Sequence, residues 1–139
     1  MKLEAFIDGS CFGNPGEAGC GILLKNEDGS VVESAGVYLG HATNNVAEYQ
    51  SLLHCLELAV RHGADSLAVY SDSELLVNQV NGKYRVKKAH LMDLHERVRR
   101  GIKKAAFEFS IQYIPREQNR EADRLAHKAI QARSRAVHE

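Results

Sequence analysis

LEAFIDGSCFGNPGEAGCGILLKNEDGSVVESAGVYL, residues 3–39, is the stretch that decides how this chain folds. Residues 3–7 are a short apolar run that reads as a strand and closes on Asp8-Gly9. A glycine-dense segment follows, with five glycines in the thirteen residues after Asp8, and is expected to turn tightly or to lie close against a neighbour. Residues 21–25 and 31–39 read as two further strands joined around Glu27-Asp28-Gly29, where Asp-Gly is a strong hairpin signal. Three antiparallel strands therefore open the fold.

Beyond this stretch the period changes. Val46, Tyr49, Leu52, Leu53, Leu56, Ala59 and Val60 recur at helical spacing from Asn45 onward, with Gly63 as terminator. Residues 66–70 read as a buried strand and 73–80 as a short helix; Leu91, Leu94, Val98 and Ile102 mark another helix, up to Gly101 and the lysines. Residues 107–114 alternate as a strand stopped by Pro115, and Ala122, Leu125, Ala126, Ala129 and Ile130 mark a final helix over residues 118–133. This order, with the two middle helices also readable as one bent helix, calls for a mixed α/β sheet covered by helices. Strands one and four, linked through a long helix, are expected to pair in parallel.

A length of 139 residues (15.4 kDa), 44% hydrophobic and 26% charged, fits a single domain over residues 1–139 and excludes disordered, collagenous and coiled-coil classes. Apolar runs are far shorter than the ~20 residues of a membrane span, and the start MKLEAFIDG lacks a basic-then-apolar leader pattern, so a cytoplasmic protein without a membrane partner is expected. Cys11, Cys20 and Cys55 form no CxxC pair and read as free thiols rather than a disulfide or zinc framework. The neutral total charge conceals two halves. Residues 1–60 carry two lysines against eight acids, and residues 61–139 carry sixteen basic side chains against ten acids, which suits a phosphate-rich partner.

Four carboxylates stand at structural punctuation marks. Asp8 ends the first strand, Glu48 lies in the first turn of the long helix, Asp72 ends the fourth strand and Asp123 begins the last helix. Each has an ordinary explanation: a turn before Gly9, an Asn45-x-x-Glu48 capping box, a helix N-cap, and a helix-end charge or partner of Arg120. Together they suggest more. Parallel strands one and four would deliver Asp8 and Asp72 side by side at the carboxyl edge of the sheet, where open α/β sheets place their ligands. Clustered carboxylates repel, and a hard divalent cation relieves that repulsion; oxygen-only ligands point to Mg²⁺, with Mn²⁺ as substitute, rather than to zinc. Two such ions about 4 Å apart would stabilise both attacking and leaving oxygens of a phosphodiester.

The segments FIDGSCFGNPGEAGCG, TNNVAEYQSLLHCLELA, VYSDSELLVNQVNG and IPREQNREADRLAHKA resemble, in order and spacing, the four signature blocks of the type 1 ribonuclease H family, over residues 6–129. The resemblance implies a ribonuclease H-like five-stranded mixed sheet, its first three strands antiparallel, flanked by helices on both faces. It implies metal-dependent endonucleolytic hydrolysis of the RNA strand of RNA/DNA hybrids, giving 5′-phosphate and 3′-hydroxyl ends, with two Mg²⁺ ions bound alongside substrate. Asp8, Glu48, Asp72 and Asp123 take the places of the catalytic, metal-binding acids. By the same carry-over Asp8 would be shared by both ions, and Gly9, Ser10, Cys11, Asn14, Thr43, Asn44 and Asn45 would contact the hybrid, Thr43 and Asn14 at a DNA phosphate. Small residues there let backbone amides approach the 2′-hydroxyls that mark RNA.

Two departures stand out. Many members carry a histidine in the loop before the last helix; here residues 115–119 read PREQN, and Arg116 or Glu117 is expected to take over part of its role. The histidines at 54, 62, 90, 95 and 127 fall on expected helices or their ends and read as packed or solvated side chains. The chain also resembles the branch without the basic, tryptophan-bearing handle, keeping only Lys83, Arg85, Lys87 and Lys88 and then a basic helix from Arg97 to Lys104. Hybrid affinity is then expected to be modest and salt-sensitive, in a monomer. The alternatives are a nucleic-acid-binding module of this fold without catalysis, and a nuclease that also cleaves double-stranded RNA.

Overall fold

In the computed structural model, which describes the backbone of residues 1–138 and side chains through residue 133, the three opening strands are antiparallel neighbours. They are β1 (Lys2–Gly13), β2 (Gly16–Lys25) and β3 (Val31–Ala42). Helix α1 (Asn44–Arg61) leads to β4 (Ser66–Ser71), α2 (Glu74–Val80), α3 (Ala89–Ala105) and β5 (Glu108–Tyr113). A single 3₁₀ turn, Arg116–Gln118, precedes α4 (Arg120–His138). The five strands form one mixed sheet in the order β3-β2-β1-β4-β5, with β4 parallel to β1 and β5 parallel to β4. No helix among the described residues is long and apolar enough to cross a membrane.

The glycine-dense segment turns tightly only at Asn14-Pro15. Most of it is strand: β1 runs on to Gly13 and β2 starts at Gly16, with only Asn14 and Pro15 between them. The glycines instead permit close helix packing. A side chain on Gly9 would overlap the backbone of Ala47 and Glu48 in α1, and one on Gly21 would overlap that of Ala122 in α4. Both expectations are met, the tight turn at Asn14-Pro15 and the close approach along the strands.

The pleat of the sheet sorts the helices onto two faces. Leu3, Ala5 and Ile7 of β1, with Cys20, Ile22 and Leu24 of β2, share a buried core with Tyr49, Leu52, Cys55 and Leu56 of α1. Leu91, Leu94 and Val98 of α3 close that core from its outer side. On the opposite face, α4 lays Ala122, Ala126 and Ile130, all buried, across Gly19 and Gly21. Small residues on both partners bring α4 close to the strands, and this decides where its polar residues lie.

Boundaries differ from the reading in three informative places. Gly101 sits inside α3, against Leu56 of α1, and the helix ends at Ala106 with a left-handed φ of 59°. Thr43, not Asn45, caps α1 by accepting the Val46 N–H at 3.3 Å, so the capping box with Glu48 does not form. Ser73, not Asp72, caps α2 by accepting the Leu76 N–H at 3.2 Å. Both Glu48 and Asp72 are thereby left free of capping duty.

Candidate metal centre

The register of β1 and β4 builds the site. Ile7 stands beside Ser71 as the last pair of the parallel ladder, so the next residue on each strand is an aspartate, Asp8 and Asp72. Asp8 does not end β1, which continues to Gly13, but stands where its parallel pairing with β4 stops; α1 crosses close to Gly9, and its second turn lowers Glu48 onto this point of the strand. The Gly9 N–H donates to Glu48 Oε1 at 2.6 Å. Oxygens of Asp8, Glu48 and Asp72 all lie within 4.8 Å of one another.

Asp8 and Glu48 are buried and Asp72 is partly so. Burial raises the Asp8 carboxyl to about 9, helped by the negative charges of Glu48 and Asp72 and by contact with Asp123; a bond from Ser10 works weakly the other way. Burial, then the charge of Asp72, raises Glu48 to about 8, against the pull of the Gly9 N–H and the Arg116 guanidinium. A cluster of this kind needs either protons or a cation. Three carboxylates with no sulfur or imidazole form the donor set of a hard divalent ion, and the residues present fit one.

Asp123 lies outside the group of three and is joined to it through Ser10. Ser10 Oγ donates to Asp8 Oδ2 at 2.9 Å and approaches Asp123 Oδ1 at 3.4 Å. The fourth expected acid is therefore set apart from the group of three, partly exposed on α4 and linked to them through Ser10 and its contact with Asp8. One residue that the sequence reading does not single out also belongs to the site. Asn119, 2% exposed, donates through Nδ2 to the Ile7 carbonyl at 2.8 Å and to Asp72 Oδ2 at 3.2 Å. Its spacing of four from Asp123, at the start of an amphipathic helix, is the signal that could have singled it out.

The expected substrate contacts gather along one rim. Asn14 Oδ1 accepts the Asn44 N–H at 3.0 Å, which ties the β1–β2 turn to the start of α1. Thr43 is the α1 cap, and the Cys11 thiol donates to the Ala42 carbonyl at 3.3 Å. Asn45 lines a hollow with Lys83, Arg85, Lys87 and Lys88. Arg116 and Glu117 are exposed on the 3₁₀ turn, where Arg116 acts electrostatically on Glu48. His127, read as packed or solvated, stands 3.3 Å from Asp123 Oδ1 with its ring edge-on to Phe12. His62 meets Glu33 at 2.6 Å and His95 meets the Gln79 carbonyl at 3.1 Å, away from the acids.

Comparison with known proteins agrees with this geometry. A family described as reverse transcriptase-like matches residues 6–129. A ribonuclease HI of Halobacterium salinarum is 37% identical over 130 residues, covering 93% of this chain and 64% of that protein. A bifunctional protein of Mycobacterium tuberculosis is 37% identical over 138 residues, 99% of this chain but 38% of its own length. The chain thus spans less than two thirds of these relatives. Among solved structures, the Halobacterium salinarum RNase H1 superposes with a TM-score of 0.91 at 35% identity, covering 95% of this chain and 99% of that one. LC11-RNase H1 in complex with an RNA/DNA hybrid gives 0.89 at 34% identity, with 94% and 97% covered.

Proposed function

We propose, for a chain that belongs to the type 1 ribonuclease H family, that it is an endonuclease hydrolysing the RNA strand of RNA/DNA hybrids. The observation that carries this reading is the convergence of Asp8, Glu48 and Asp72 oxygens within 4.8 Å at the carboxyl edge of the sheet. These three would hold Mg²⁺, with Mn²⁺ as substitute, and Asp123 would join them across Ser10 when substrate is bound. The ion supplies Lewis-acid stabilisation of charge on phosphate oxygens and lowers the pKa of bound water.

The chain's own residues do the remaining work. β1 and β4 fix Asp8 and Asp72 in adjacent register, and the Gly9 N–H orients Glu48. The Asn14–Asn44 bond holds the rim that receives the hybrid, and its exposed amide groups suit 2′-hydroxyls and phosphates. In the reaction, a water oxygen bonds to phosphorus, the bond from phosphorus to the 3′ oxygen breaks, and the products carry 5′-phosphate and 3′-hydroxyl ends. Residues 1–139 are read as one domain acting as a monomer.

Asp8→Asn tests the reading. A labelled hybrid incubated with Mg²⁺ should be cut at least about 10³-fold more slowly than by the parent, in the range expected when a preorganised charge is removed. Activity near that of the parent refutes the assignment. Double-stranded RNA run in the same assay should be left intact.

A further inference from the structure

Asn119 is the side chain at this site whose hydrogen bonding does not close. Its Nδ2 serves two acceptors, the Ile7 carbonyl at 2.8 Å and Asp72 Oδ2 at 3.2 Å, while its Oδ1 is buried with no partner. Among the described side chains, no other buried nitrogen or oxygen lacks one. Turning the amide over would face an oxygen with two acceptors, so the orientation is dictated by what Nδ2 touches. A buried amide with an idle oxygen weakens a fold relative to a fully paired one. Its presence here calls for a reason other than stability.

The contacts supply that reason. The Ile7 carbonyl belongs to the peptide that leads into Asp8, and Asp72 follows the last residue of β4. The backbone carbonyl of Asn119 also accepts the Asp123 N–H at 3.2 Å. One residue, nearly enclosed, thus touches Asp72 directly and Asp8 and Asp123 through their own peptides. No acid can replace it without adding a repelling oxygen beside Asp72, and no aliphatic residue offers the two donors.

We infer that Asn119 is a positioning residue, whose amide locks the Asp72 carboxylate against β1 at Ile7, where the parallel ladder ends, in the arrangement that receives the divalent ion. This rests on the proposal that Asp8 and Asp72 hold that ion. Outer partners of ligating carboxylates set metal affinity by orienting the ligand, and their removal costs about 10–100-fold.

The test titrates Mg²⁺ alone, without substrate, into the parent, Asn119→Ala, Asn119→Leu and Ile130→Ala, followed by the amide NMR shifts of Gly9 and Ser10. Circular dichroism melts fix a temperature at which each variant is folded. Both Asn119 variants should bind Mg²⁺ about tenfold more weakly. Ile130→Ala, a core truncation on the same helix, should keep the parent's affinity even where its Tm falls further. If the Asn119 variants lose Tm but keep the parent's Mg²⁺ affinity, the residue is only an anchor for α4 and the inference is overturned. Should Asn119→Leu fail to fold, Asn119→Ala, which removes the amide without adding bulk or charge, decides alone. Asp8→Asn joins the series to separate the two claims. Mg²⁺ binding lost there but retained in the Asn119 variants ends the positioning role only; binding retained in Asp8→Asn ends the reading of the centre itself.

Discussion

The two ends of α1 use the same residue types to opposite effect. At its start, Glu48 is buried with Asp8 and Asp72, and like charges crowd where water cannot screen them. At its far end, about 14–20 Å further along the helix, Glu57 and Arg61 face Asp93, Arg97 and Arg100 of α3 around an open groove of about 910 Å³. Charges there are mixed in sign and wet. The difference teaches that position in the sequence says little about what a charge does. Burial and sign pattern decide it: the first end costs stability and gains chemistry, and the second costs and gains little.

The largest effect that sharpens this contrast is expected from Glu48→Gln. Both Asp8 and Glu48 have raised carboxyl pKa values in the fold, to about 9 and about 8. The native state therefore keeps protons that the unfolded chain releases above about pH 4. Stability in the absence of metal is full below that pH and falls as pH rises toward the folded values. Metal-free protein should lose several degrees of Tm between pH 5 and pH 8, and millimolar Mg²⁺ should restore most of it. Glu48→Gln should flatten this profile and raise the metal-free Tm at pH 8, while cutting hybrid hydrolysis by about 100-fold or more. A metal-free Tm that is level or rises over that pH interval would break the contrast between the two ends. The same substitution at the wet end, Glu57→Gln, should leave both profiles unchanged.

How much of this was legible beforehand depended on whether the signal was local. Asp8 and Asp72 could be placed together because a strand–helix–strand crossover forces parallel pairing, and Ile7 beside Ser71 confirms the register that this requires. Glu48 falls on the expected helix but in its second turn rather than its first, because Thr43 rather than Asn45 caps α1; which of several adjacent polar residues adopts extended φ/ψ depends on how β3 hands over to α1. Segment 9–21 was not legible as strand. Glycine composition signals turns locally, and only the approach of α1 and α4 explains why strand positions lack side chains there. Gly101 misled for the same reason, being a contact with Leu56 and not a helix end. Asn119 is hard to read from the chain because its two acceptors, a main-chain carbonyl and a carboxylate, come from distant strands and leave only its spacing of four from Asp123 as a trace.

A middle-sized effect should separate the two basic regions, which the sequence alone could not rank. Lys83, Arg85, Lys87 and Lys88 share a hollow with Asn45 at the site end of α1, whereas Arg97, Arg100 and Lys104 line the groove at the other end. If the hybrid lies along the rim that begins at Asn45, only the first set meets its phosphates. The double change Lys87→Ala with Lys88→Ala should weaken hybrid binding several-fold near 0.1 M salt and lower the slope of log K against log salt by about 1 to 2. Arg97→Ala with Arg100→Ala should move neither quantity. Equal effects from both pairs would mean that the hybrid spans the length of α1 and that the far end is not idle.

The smallest expected effect tests whether the wet end is as inconsequential as its exposure implies. Glu96 accepts from Arg99 at 3.0 Å and stands 3.7 Å from Arg100, one helical turn away, with all three side chains about half exposed or more. Pairs at this spacing on a solvated helix contribute about 0.3–0.5 kcal/mol and less as salt screens them. Glu96→Ala removes both pairs yet gains helix propensity, so the two changes nearly cancel. Denaturant unfolding should therefore place the variant within about 0.5 kcal/mol of the parent, with hydrolysis rate and Mg²⁺ affinity unchanged. A loss above about 1 kcal/mol, or any shift in Mg²⁺ affinity, would show that α3 transmits to the carboxylate cluster through α1. The two ends would then have to be treated as one electrostatic unit, because their separation by a helix length would no longer insulate the buried acids from the exposed pairs.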